Sequence, residues 1–150
     1  MKTALVVFDS VYGNTERVAR ALAKGMEDGG VEVECVRINA LEFGRVGKFD
    51  LLCVGAPTQA FGVYRPVKEF LERLKNAEGL AGKKGFAFDT KIKGWWTGSA
   101  AKGIEKRLRG LGLTIVKPYV SAIVKGKEGP LEEGAEETFR QLGTELAKTL

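Results

Sequence analysis

Histidine is absent from this 150-residue chain. A Ser-His-Asp triad therefore cannot be built, and a zinc or di-iron site would lack its commonest nitrogen ligand. Cysteine is scarce: Cys35 and Cys53 are the only two. Both fall inside apolar, strand-like runs, where reduced core residues are expected rather than a bridge or a redox pair. No apolar run approaches the roughly 20 residues of a membrane span. The N-terminus opens at once into a strand-like run with no leader cleavage site, so a cytoplasmic location is expected. Two phosphate-binding signatures are also missing. No lysine follows Gly13, which excludes G-x-x-x-x-G-K-[ST], and Gly13 stands alone, which excludes G-x-G-x-x-G.

What remains is ordinary in bulk. Hydrophobic residues make up 44% of the chain, and the length suffices for one domain with a sizeable core. The net charge of +5 bears on solubility and partners, not on fold. The positive excess is concentrated late. From Lys83 to Lys127, eleven lysines and arginines face only Asp89 and Glu105. The plain account of these cations is a solvated face on one helix and its flanking loops.

Hydrophobic periodicity predicts five strands alternating with helices. Thr3–Phe8 is apolar throughout, as suits a central strand covered on both faces. A helix follows over Asn14–Asp28, with Val18, Leu22 and Met26 on one face and Gly29-Gly30 as its stop. Val31–Ile38 alternates and reads as an outer strand. Asn39–Lys48 reads as a loop with a short helical turn. Asp50–Gly55 is a third apolar strand, which Pro57 is expected to end. The next helix starts near Arg65-Pro66 and buries Val67, Phe70, Leu71 and Leu74. Lys84–Asp89 is a fourth strand, followed by a long loop, Thr90–Gly98, and a helix over Ser99–Leu111. The fifth strand lies within Thr114–Val124. Pro118 makes it an edge strand or an interrupted one. The last helix is expected soon after Gly129-Pro130, with Glu132 and Glu133 at its start and Lys148 near its end complementing the helix dipole. Strict alternation of strands and helices implies an α/β fold, a parallel sheet with helices on both faces. Ligands of such sheets bind beyond the carboxyl ends of the strands, where the strand order reverses.

Three loops fall on that side, and each carries unusual residues. Asp9-Ser10-Val11-Tyr12-Gly13-Asn14-Thr15-Glu16 leads from a strand into a helix. Unpaired N–H groups and the helix dipole at such a start favour an anion. Ser10, Tyr12 and Thr15 offer hydroxyls, Asn14 an amide, and Gly13 a tight turn. Helix capping by Asn14 or Thr15, with Glu16 as first-turn charge, accounts for the same residues without a ligand. The second loop, Ala56–Gly62, offers Thr58 and Gln59 beside Phe61. The third holds Trp95 and Trp96. Packing of the loop on the sheet explains one of two adjacent tryptophans, and stacking on a planar ring explains the other. A flat aromatic ligand with a phosphate tail accounts for all three loops together.

Three segments carry a family resemblance that spans essentially the whole chain: Asp9–Glu16, Gly55-Ala56-Pro57-Thr58, and Gly94-Trp95-Trp96-Thr97-Gly98. The chain resembles the short-chain flavodoxins, and the flavodoxin domains fused to flavo-diiron proteins. That resemblance implies residues 1–150 as one flavodoxin-like, FMN-binding domain with a five-stranded parallel sheet of order 2-1-3-4-5 in a three-layer sandwich. It implies an FMN-binding electron-transfer flavoprotein with redox partner proteins and no catalytic residue or metal of its own. Ser10, Val11, Tyr12, Gly13, Asn14 and Thr15 would hold the FMN phosphate. Pro57, Thr58, Gln59, Ala60, Phe61 and Gly62 would line one side of the ring, with a peptide near Phe61-Gly62 at the flavin N5. Asp89, Thr90 and Trp95 or Trp96 would border the other side. Two features depart from the family. The third loop, Asp89–Trp96, lacks the usual glycine-rich turn with a tyrosine. The chain is basic where flavodoxins are usually acidic, which argues against an acidic docking face for a basic reductase. Lys91 and Lys93 fall in the loop expected beside the ring. The rival readings are an FMN-dependent NAD(P)H oxidoreductase acting on quinone-like acceptors, and a binding module that has lost FMN. Binding of nucleic acid finds no support in an aromatic-interleaved basic stripe. A phosphorylation receiver would need an aspartate where Gly55-Ala56 stands.

Overall fold

The first strand, β1 (Thr3–Phe8), is buried on both faces, so its alternating residues feed two separate cores. Ala4, Val6 and Phe8 point into one, Leu5 and Val7 into the other. A computed structural model describes residues 1–59, 62–94 and 97–150. In it β3 (Leu51–Gln59) and β5 (Lys84–Ile92) repeat the alternation. Leu51, Cys53, Phe86 and Phe88 join the first core, which α1 (Asn14–Asp28) and α4 (Ala135–Ala147) cover with Leu22, Met26, Phe139 and Leu146. Leu52, Val54 and Ala87 join the second, under Val67, Phe70 and Leu71 of α2 (Arg65–Arg73) and Ile104 and Leu108 of α3 (Ala100–Gly110).

The strands lie in the expected order. β2 (Glu32–Arg37) pairs with β1 at the outer edge, β1 with β3, and β3 with β5, all parallel. The fifth position is filled in two pieces, because the strand breaks around Pro118. β6 (Thr114–Ile115) pairs with the start of β5, and β7 (Val120–Val124) with its end. The segment before β3 forms two short 3₁₀ turns, Ile38–Ala40 and Phe43–Lys48. Among the described residues, no helix is long and apolar enough to cross a membrane.

Three boundaries differ from the sequence reading, each for a tertiary reason. Pro57 does not end β3, which runs on to Gln59 and turns back through the antiparallel β4 (Gly62–Val63). The Gly55 carbonyl accepts from Asp9 N–H on the β1 side. Pro57, two residues on, faces the same side, where the chain has already left the sheet, so its missing N–H costs no ladder bond. β5 does not stop at Asp89 but reaches Ile92, because β7 pairs with Phe88–Ile92. The last helix begins at Ala135, not near Glu132. Leu131 bridges to Val124, and Glu132 N–H donates to the Ile123 carbonyl, so the sheet holds this segment until Gly134 turns at φ 83°. Glu136 and Glu137, rather than Glu132 and Glu133, supply the first-turn charge, and Lys148 lies just past the last turn.

Candidate functional site

From β1 the chain passes outward to β2, then returns to β3 on the other side of β1. The connections after β1 and β3 therefore diverge at the carboxyl end of the sheet and leave a crevice. A cleft of about 460 Å³ lies there. It gathers Ser10, Val11, Tyr12, Asn14 and Thr15 from the first loop, Pro57, Thr58 and Gln59 from the end of β3, and Thr90 from β5. Lys91, Ile92, Val124 and Lys127 complete it. A second, wider groove between α2 and α3 shares only Gln59 with this cleft and lies away from the switch point.

The first loop makes a tight turn into α1. Gly13 sits at φ 90°, a conformation that side chains rarely adopt, and a Cβ there would stand in open space. Ser10 Oγ accepts from Gly13 N–H at 3.1 Å and from Glu16 N–H at 3.4 Å. Two backbone donors at the start of α1 are thus held on the Ser10 hydroxyl, which lines the cleft and has no acceptor for its own proton among the described residues. Neither Asn14 nor Thr15 caps the helix through its side chain. Gly13 occupies that position, and Asn14 Nδ2 donates instead to the Glu128 carbonyl at 3.1 Å. Thr15 is buried, and its Oγ1 lies 2.8 Å from Thr90 Oγ1. Of two hydroxyls sharing one hydrogen bond, one keeps an uncommitted proton, and the cleft both residues line is where it can be used.

Sequence reasoning missed the cation that holds this loop. Arg37 ends β2 in register with Phe8. Its guanidinium donates to Asp9 Oδ1 at 3.2 Å, the Ser10 carbonyl at 3.0 Å and Glu16 Oε1 at 2.8 Å, and it lies over the Phe8 ring. Asp9 Oδ1 also accepts from Ser10 N–H at 2.8 Å. A hydrogen bond from Arg20, joined by the charges of Arg20 and Arg37 and a hydrogen bond from Arg37, outweighs the opposing effect of burial and holds the Glu16 carboxyl below its ordinary pKa. The only signal for Arg37 was its place at the carboxyl end of the strand next to β1.

Asp89 does not line the cleft. It is fully buried behind it. Its Oδ2 accepts from Thr58 Oγ1 and Ser99 Oγ, both at 2.8 Å, and from Ala101 N–H at 3.0 Å, while Oδ1 has no partner among the described residues. Thr58 Oγ1 accepts in turn from Ala100 N–H at 2.9 Å. The carboxylate therefore ties the end of β3 to the first turn of α3. The Thr58 hydroxyl has its proton committed and can only accept from a ligand. Gly13 and Asp89 shape the site from outside its lining. Gly62 pairs with Gln59 in β4. Ala60, Phe61, Trp95 and Trp96 lie outside the described residues.

A doubly wound sheet of this order, with a cleft at its switch point, defines the class to which the comparisons assign the chain. The flavodoxin family matches over residues 6–141. A type A flavoprotein of Rhodobacter capsulatus is 32% identical over 158 aligned positions, covering 99% of this chain and 33% of that protein. A flavodoxin of Clostridium beijerinckii is 26% identical over 114 positions, covering 75% of this chain and 80% of that protein. The structure of an archaeal flavodoxin superposes with a TM-score of 0.86 at 24% identity, over 98% of this chain and 97% of that one. The chain belongs to the flavodoxin family. It spans about a third of the length of the first curated relatives it matches.

Proposed function

We propose that the chain binds FMN in the cleft and serves as an electron carrier. The observation that carries this reading is the turn before α1, where the Ser10 hydroxyl, fixed by two backbone N–H groups, and the Thr15–Thr90 pair each keep a proton to donate into the cleft. The rest of the cleft fits the same ligand. Its volume is that of a small-molecule site, and Pro57, Ile92 and Val124 give it apolar wall. Ser10 through Thr15 would hold the phosphate. Pro57, Thr58 and Gln59, continuing into Ala60, Phe61 and Gly62, would border one side of the ring. Thr90, with Trp95 or Trp96, would border the other, and Asp89 would hold that wall from behind. Bound FMN supplies reversible electron uptake and release. The chain's own part is to bind the phosphate, orient the ring and limit water around it.

The test is the visible absorption of purified protein supplied with FMN and then desalted. One flavin retained per chain is the expected result. A colourless protein contradicts the reading.

A further inference from the structure

The mouth of the cleft is basic and partly apolar. Val11, Tyr12 and Ile92 stand on its rim, 44%, 46% and 44% exposed. The register Lys91↔Ile123 and Ile92↔Val124 brings the ends of β5 and β7 side by side. Lys91 and Lys93 therefore leave one strand next to the point where Lys125 and Lys127 leave the other. Lys91 and Lys127 line the cleft, while Lys93 and Lys125 are exposed outside it. Among the described residues, none of the four is ion-paired. Lys24, Arg65, Lys75 and Lys117 each sit on a carboxylate, while among the described residues Lys2, Lys48, Lys68, Lys83, Lys102, Lys106 and Lys148 do not, so it is their clustering at two adjacent strand ends that sets the four apart. The acidic groups nearest the cleft do little to offset the lysines. Asp9 and Glu16 are taken up by Arg37 and Arg20, and Asp89 is buried behind the wall with its Oδ2 bonded to Thr58, Ser99 and Ala101, which leaves Glu128 exposed.

We propose that this rim is a docking surface for an acidic redox protein. The proposal rests on the electron-carrier reading, because a partner must then approach the cofactor through the open mouth of the cleft. Exposed Val11, Tyr12 and Ile92 supply close apolar contact at the centre. The unpaired lysines select a carboxylate-bearing face and speed its encounter. The lysines cluster at two adjacent strand ends around an apolar rim instead of forming the extended track that follows a nucleic-acid backbone. The polarity of the dock is opposite to the acidic face usual among flavodoxins.

The first arm of the test needs no flavin. The isotope-labelled protein is titrated at low salt with poly-L-glutamate and followed by amide chemical shifts. Shifts at residues 91–93 and 125–128 that disappear at about 0.2 M salt are expected. Lys93→Glu with Lys125→Glu, which leaves the cleft lining intact, should weaken binding by about tenfold. Lys2→Glu with Lys148→Glu alters net charge equally at the opposite end of the sheet and should change it less than about twofold. Shifts centred on the lysines of α3, or equal weakening by both pairs, overturn the proposal. So does a single-stranded oligonucleotide of matched charge that binds the same residues more tightly.

The second arm uses the FMN-loaded, reduced protein and hexacyanoferrate(III), which takes one electron as iron(III) becomes iron(II). Its rate should fall with added salt, and fall less in the Lys93→Glu, Lys125→Glu protein. A rate that rises with salt overturns the proposal. A protein that retains no flavin refutes the electron-carrier reading through its spectrum, while the first arm still decides whether the rim binds an acidic chain.

Discussion

Thr15 and Thr90 join the first turn of α1 to the end of β5 through one buried hydrogen bond. Thr15→Val keeps the side-chain shape and removes the hydroxyl. It should cost about 1–3 kcal/mol of stability by leaving the Thr90 hydroxyl unpaired. It should also weaken FMN binding about ten- to hundredfold, the worth of one hydrogen bond to a charged acceptor. Denaturant titration and a binding isotherm measure the two losses separately, and unchanged FMN affinity would remove Thr15 from the phosphate site. At Cys35, partial burial pushes the thiol pKa up to about 11, with the charges of Glu16 and Glu27 adding to the rise and Arg20 opposing it. Cys53, fully buried, is raised by the same cause. The thiolate is the reactive form, so Cys35 at pH 8 should be alkylated by iodoacetamide about a hundredfold more slowly than a free thiol. Its rate should still climb from about pH 10 to 11, where a free thiol has levelled off. A plateau by about pH 10 would contradict the burial argument.

Between elements, α1 and α4 pack backbone against backbone. Glycines at their crossing let the backbones meet: a Cβ on Gly143 would strike the Leu22 carbonyl, and one on Gly25 the Arg140 carbonyl. Gly143→Ala should therefore destabilise the fold by about 1–3 kcal/mol despite the better helix propensity of alanine. Gly110→Ala, at the end of α3 with open space around it, should be neutral or slightly stabilising. Equal melting temperatures for the two variants would contradict this account of the crossing. The elements themselves were largely legible in the sequence, because β1, β3 and β5 carry apolar runs and the helices carry one apolar stripe each. What escaped depends on neighbours distant in sequence. Pro57 is tolerated because β1 ends at Phe8, β5 is prolonged because β7 lies beside it, and α4 starts late because Leu131 and Glu132 are held by β7. The cleft was legible for the same reason as the strands, since strand-end loops must converge at the switch point. The grip of Arg37 on the first loop was not, because nothing local to that loop points to a cation from β2.

At the scale of the whole molecule, two apolar layers fix a five-position sheet whose carboxyl edge carries the cleft, the tight turn before α1 and the cluster of four lysines. The relatives that share this unit include longer flavoproteins, of which the chain matches about a third. The central claim is that the switch-point turn binds the phosphate of FMN, so that the phosphate and not the ring dominates affinity. Titration calorimetry of the flavin-free protein with FMN and with riboflavin isolates that contribution, since the two ligands differ only in the phosphate. Loss of two or more charge-assisted hydrogen bonds predicts that riboflavin binds at least about a hundredfold more weakly than FMN. Equal affinities for the two ligands would contradict the account.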